Sequence, residues 1–233
     1  MKKTFALMAG VVIALAASSA RATVYNDTAG DTFAGVGGGG ILDILSVEVT
    51  DDGTNINFKV NVAADIVATD WGKYMVMIDN GPTGDPSGNG WGRPISWGPV
   101  NGGANYWLGS WVDGGNGAEN RVWDGAAWQL QDATYNAAPN NQIGITKLGS
   151  SATITAPLAR LNLGLGQQFC FDVFSSGGGG NDGAIDSLGD PNQHVAAWDQ
   201  PSTAVPVCYT TTPEPGSLAL IAAGALALIR RKR

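Results

Sequence analysis

The chain has 233 residues, of which 44% are hydrophobic and only 14% charged, with 34 glycines and a formal net charge of −7. Residues 1–22 and 213–233 hold seven of the cations and a single acid, Glu214, so the body between them carries 6 cations against 19 anions, a net of −13. Such a surface repels phosphate backbones, which argues against nucleic acid as a partner, and it suits solvent outside the cell.

In chain order, the first element is a leader. Lys2 and Lys3 precede an apolar run over 5–17, and the small-residue site Ala20-Arg21-Ala22 follows. This is the pattern of a secretory signal peptide spanning 1–22, cleaved after Ala22, with cleavage after Ala20 as the alternative. The run is too short for a membrane span. The body, 23–212, reads as one all-β domain. Strands rich in Val, Ile, Phe, Trp, Tyr and Thr are expected at 42–50, 55–62, 74–79, 106–113, 121–123, 128–132, 142–148, 152–157, 168–175 and 205–210, bounded by Gly, Asp, Asn and Pro. Asp51-Asp52-Gly53-Thr54 joins the first two as a hairpin turn, and Asp124-Gly125 joins another pair.

Over 55–62, Ile56, Phe58, Val60 and Val62 alternate with Asn55, Asn57, Lys59 and Asn61. One buried and one wet face is the mark of an antiparallel sheet. About ten short strands without a long amphipathic helix predict a single antiparallel β-sandwich. Gly35, Gly37 and Gly40 fit G-x-G-x-x-G in form, but the run precedes a strand instead of following one into a helix, so a dinucleotide site is excluded.

Catalytic chemistry is thinly supplied, and no catalytic residue is assigned. His194 is the only histidine, and neither G-x-S-x-G nor H-E-x-x-H occurs. The expectation is a non-enzymatic protein. Carboxylate pairs keep polysaccharide hydrolysis as an alternative.

Sugar binding is better provided for, because six of the eight tryptophans fall between 91 and 128. In "NYWLGSWVD" the strand period places Trp107, Gly109 and Trp111 on one face, with the two rings about 13 Å apart. Flat aromatic faces match the apolar C–H faces of pyranose rings. The competing reading places Trp107 and Trp111 in the sandwich core under the second sheet. Trp91 and Trp97, in the long Gly- and Pro-rich loop 80–103, are expected to be exposed and to mark the ligand site.

Calcium is the candidate cofactor. Asp79, Asn80 and Asp85 are the assigned ligands, while Asp182, Asp186 and Asp190, and Asp27 with Asp31, are further oxygen-rich stretches. The alternative is ordinary turn chemistry. Cys170 and Cys208, in an exported chain, are expected to form a disulfide, two separate buried thiols being the alternative.

The chain closes on Pro213-Glu214-Pro215, an apolar run over 217–229, and Arg230-Arg231-Lys232-Arg233. Those 13 apolar residues would span about 20 Å as a helix, against a bilayer core of about 30 Å. The segment suits transient insertion with its basic end on the cytoplasmic side, and is a poor permanent anchor.

Two resemblances follow. "PEPGSLALIAAGALALIRRKR" is similar to the PEP-CTERM sorting signal, which implies an exosortase as partner and cleavage near the Pro-Glu-Pro triplet. The body phrases "NDTAGD", "ILDILSVEVTDDGTNINFKV", "YMVMIDN", "YWLGSWVDGG", "RVWDGAAWQL" and "FCFDVFSSGGGGNDGAIDSLGDPN" resemble the DOMON-like superfamily that includes the family nine carbohydrate-binding modules. That resemblance implies a non-catalytic β-sandwich, often binding sugar or calcium, and transfers no ligand residue. Together they imply an exported protein of the cell envelope or extracellular matrix that associates with polysaccharide, or a purely structural matrix protein without a specific ligand.

Overall fold

A computed structural model describes residues 22–135 and 142–212. The leader, both of its cleavage sites except Ala22, and the sorting segment lie outside the described residues. Fourteen strands run in chain order: β1 (Thr23–Asn26), β2 (Ile44–Asp51), β3 (Asn55–Val62), β4 (Lys73–Asp79), β5 (Ile95–Ser96), β6 (Tyr106–Trp111), β7 (Gly117–Trp123), β8 (Trp128–Ala133), β9 (Gly144–Leu148), β10 (Ser151–Pro157), β11 (Gln168–Ser176), β12 (Asp186–Ser187), β13 (Ser202–Thr203) and β14 (Val207–Thr210). No α-helix occurs among the described residues. The ten expected strands are all present; β1 and the two-residue β5, β12 and β13 are additional.

The strands form two antiparallel sheets. One has the order β1-β2-β3-β10-β9; the other has the order β12-β11-β4-β6-β7-β8, with β14 also pairing β11. The β2–β3 hairpin turns at Gly53, whose φ of 81° lies in the left-handed region that glycine adopts without strain. Asp52 closes that turn by accepting the Thr54 and Asn55 amides at 2.8 and 2.7 Å.

Alternation in β3 holds residue by residue: Ile56, Phe58, Val60 and Val62 are buried and their neighbours half-buried. They meet Val76, Ile78, Leu108, Phe169, Phe171 and Val173 from the second sheet in one core. Phe58 lies edge-on to Phe171 with centroids 5.3 Å apart. The fold is therefore a β-sandwich.

The second sheet departs from simple alternation, because β4 and β11 are buried on both faces. Their outward residues Met75, Met77 and Phe174 join Trp107 from β6 in a second core, closed by Ile95, Trp97, Ala104, Ala184 and Ala204. That cover is not a sheet of the sandwich. It is a layer of loops, 80–105 and 177–206, stitched together by the parallel pair β5–β13. Buried groups of opposite character lock it down. The Arg93 guanidinium donates to Ser176 Oγ and to the Asp182 carbonyl, both at 2.7 Å. Asp172 Oδ2, fully buried, accepts from Ser187 Oγ at 2.7 Å and from the Val205 amide at 2.8 Å.

Cys170 and Cys208 face one another across the β11–β14 register and are joined as a disulfide. The expected pairing is present.

Candidate functional site

The outward face of β6 carries Trp107, Gly109 and Trp111, as the strand period requires, but the three positions have different fates. Trp107 is 0% exposed inside the second core, beneath the loop layer. Trp91 packs on it edge-to-face, with centroids 5.8 Å apart. The core reading of Trp107 therefore holds as to burial: it is not on an open sugar strip, but what covers it is the loop layer, not the opposite sheet. Trp97, expected to be exposed, is 1% exposed because it forms a wall of the same core. Its place in a Gly- and Pro-rich loop gave no hint that the loop folds back onto the sheet.

Trp91 and Trp111 remain half-buried and line one groove. Both indoles lie flat on the sheet because glycine sits beneath them. A Cβ at Gly109 would overlap the Trp91 ring, and one at Gly117 would overlap the Trp111 ring. Gly109→Ala is thus expected to push Trp91 off β6 at a stability cost of about 1 to 3 kcal/mol. Near-UV circular dichroism reports the displacement; an unchanged spectrum would show that Trp91 does not rest on this strand.

The groove has a volume of about 400 Å³ and is lined by Lys73, Trp91, Arg93, Trp111, Asp113, Glu119, Arg121 and Tyr135. Tyr135 is 41% exposed and stands tilted against Trp111, with centroids 5.8 Å apart. Glu119 is the organising group. One oxygen accepts from the Trp91 indole N–H and from Arg121 Nε, and the other accepts the Tyr135 hydroxyl at 2.7 Å and Arg121 Nη2 at 3.2 Å. Lys73 bonds Asp113 at 2.8 Å, and the Arg93 guanidinium carbon sits 5.4 Å from the Trp91 ring centroid. Burial raises the Tyr135 pKa first, and its bond to Glu119 adds to this, so the hydroxyl stays a donor.

Glu119, Arg121 and Tyr135 were not singled out from sequence. Glu119 and Arg121 share one face of β7 by the period of two, and β7 is the neighbour of β6. That pairing was readable in principle, whereas the arrival of Tyr135 beyond the end of β8 was not.

The assigned calcium ligands are not assembled. Asp85 is committed to its own turn: Oδ1 accepts the Ser87 and Gly88 amides and Ser87 Oγ, and Oδ2 accepts the Trp128 indole N–H at 2.9 Å. Turn chemistry, the alternative, accounts for it. Asp79 and Asn80 line a separate cavity of about 410 Å³ beside Cys170, where the Asn80 amide donates to the Leu161 carbonyl. Among the described residues, the carboxylates that do converge are those of Asp27, Asp31 and Asp186. Burial pushes their pKa values up, to about 7, about 6 and about 8 in that order, and neighbouring acids add to the rise.

His194 Nδ1 lies 3.2 Å from Asp190 Oδ2, four residues back in its own loop. The cysteines are fully accounted for by their disulfide.

Comparison with known proteins bears on the end of the chain. Residues 211–233 match the PEP-CTERM protein-sorting motif. No curated protein matches the chain, and no solved structure does. The motif marks an exported protein processed by an exosortase at the cell envelope.

Proposed function

We propose that the sorted protein is a non-enzymatic polysaccharide-associating module of the cell envelope or extracellular matrix, and that the groove between Trp91, Trp111 and Tyr135 is its glycan site. The observation that carries this reading is the groove itself. It combines two half-open aromatic faces with fixed hydrogen-bonding groups in about 400 Å³, a volume suited to a sugar unit or two. Aromatic rings supply the apolar contact, while Lys73, Arg121 and the Asp113 carboxylate supply donors and acceptors for hydroxyls, and Glu119 holds the donors in place.

Charge supports the same reading. Lys73, Arg93 and Arg121 are three of the six cations of the body, and they gather around this groove. The site is therefore a break in a strongly acidic surface, and does not repel an acidic polysaccharide.

The groove also favours binding over hydrolysis. A glycosidase needs one protonated carboxyl as acid and a second carboxylate as nucleophile or base. Here Asp113 is paired with Lys73, and both oxygens of Glu119 are already engaged by donors, so Glu119 has no oxygen left for either role.

Affinity electrophoresis against neutral and uronate-containing polysaccharides tests the proposal. Retardation of the wild-type protein is expected, and Trp111→Ala is expected to weaken it at least about tenfold, as for loss of an aromatic anchor. A protein that no polysaccharide retards would be a structural matrix component instead. Release of oligosaccharide during the assay would point to a hydrolase.

A further inference from the structure

We infer that Asp27, Asp31 and Asp186 form a calcium site that joins the loop after β1 to the short strand β12 of the opposite sheet. One carboxylate oxygen from each lies within 4.8 Å of the others. Two oxygens bound to the same calcium, at 2.3–2.6 Å each, lie at most about 5.2 Å apart, so one ion can reach all three.

The convergence alone would not make a site. What points to a ligand is that both carboxylate oxygens of Asp31, and Oδ2 of Asp27, are closed off from solvent and accept no hydrogen bond. Buried polar atoms in folded proteins almost always have partners. Three orphaned carboxyl oxygens facing shared space call for a cation. No side chain supplies it: among the described residues, the ion pairs of Lys, Arg and His involve none of these three aspartates.

The surrounding bonds hold the ligands in place without consuming those oxygens. Asp27 donates its amide to the Leu45 carbonyl at 3.0 Å, and its Oδ1 accepts the Thr28 amide at 2.8 Å. The Gly30 amide donates to both oxygens of Asp43, which bends the loop so that Asp31 returns toward Asp27. Asp186 accepts the Ile44 amide on Oδ2 and its neighbour's amide on Oδ1, each oxygen keeping a further lone pair. Carboxylates from distant chain positions, with oxygens closed off from solvent, suit calcium. Magnesium holds its waters and seldom takes an all-protein cage.

The test uses the mature protein after dialysis against EDTA and then calcium-free buffer. Titration with calcium chloride in a calorimeter is expected to show one site. Calcium at a hundredfold excess over Kd is expected to raise the Tm by about 5 to 10 °C. Asp31→Asn is expected to abolish both effects, with the β-sheet circular dichroism spectrum confirming that it folds. Asp85→Asn, a control outside the site, is expected to keep them. Terbium luminescence displaced by calcium gives a second readout should Asp31→Asn prove unstable. No heat and no Tm change at 10 mM calcium would overturn the assignment. So would calcium binding that survives in Asp31→Asn, or an equal response to magnesium.

Discussion

Trp107→Ala is expected to destabilise the protein by about 3 to 5 kcal/mol. That is a large share of the roughly 5 to 15 kcal/mol by which a domain is stable. Trp107 is the centre of the second core: it touches Trp91 edge-on, and the backbone at Gly90 approaches so closely that a Cβ there would crowd the indole. The change leaves a cavity between β6 and the loop layer, with no strand neighbour able to collapse into it. The loss should fall unevenly. The inner core between the sheets contains no atom of Trp107, so β2, β3 and β10 are expected to keep their hydrogen-exchange protection while peptides from 80–105 and 177–206 lose theirs. Exchange measured by mass spectrometry distinguishes this from uniform loss, which would show that the two cores melt as one unit. The proposed glycan binding should fall with the loop layer, since Trp91 rests on Trp107.

The same two cores explain what could be read from the sequence. The inner sandwich was legible because its strands obey a period of two, with β3 the clearest case. The hairpin at Asp52-Gly53 and the disulfide of Cys170 with Cys208 follow from local turn chemistry and from export, and both are present. The outer layer was not legible as a layer. "YMVMID" in β4 is apolar at both parities, which signals burial on both faces, but nothing in a loop without periodicity says that it supplies the cover.

Trp97 shows the consequence. Its neighbours are glycine, proline and serine, the composition of an exposed loop, yet it directly follows Ser96, the strand partner of Thr203, and closes a core. The convergence of Asp27, Asp31 and Asp186 was illegible for a different reason. Asp27 and Asp31 were visible as an oxygen-rich pair, and Asp186 as a member of another stretch, but their meeting depends on the two sheets being stacked. Contacts of that kind, more than 150 residues apart, are set by topology. Asp85 was read as a ligand because turn aspartates and calcium aspartates look alike in sequence, and only its bonds to Ser87, Gly88 and Trp128 separate them.

Removing the disulfide, by reduction or as the Cys170→Ser, Cys208→Ser pair, is expected to lower stability by about 4 kcal/mol and the Tm by about 8 to 15 °C. The bridge closes a loop across a sequence separation of 38 residues, so its loss releases considerable chain entropy in the unfolded state. The folded state has its own stake in the bridge. β14 is four residues long, pairs only with β11, and is the last strand of the body. Its other ties reach distant parts of the chain: Tyr209 donates to Asp51 at 2.7 Å, and Thr211, just after the strand, donates to the Gly164 carbonyl at 2.6 Å. The sorting motif begins at Thr211, so the ordered body runs into it and the Pro-Glu-Pro triplet starts one residue after Thr212. The bridge therefore holds the domain closed up to the edge of the segment that the exosortase must engage. Thermal melts with and without reductant, with thiol release confirmed by mass, measure the effect. An unchanged Tm in the fully reduced protein would show that the β11–β14 pairing and the Asp51 contacts hold this end of the chain unaided.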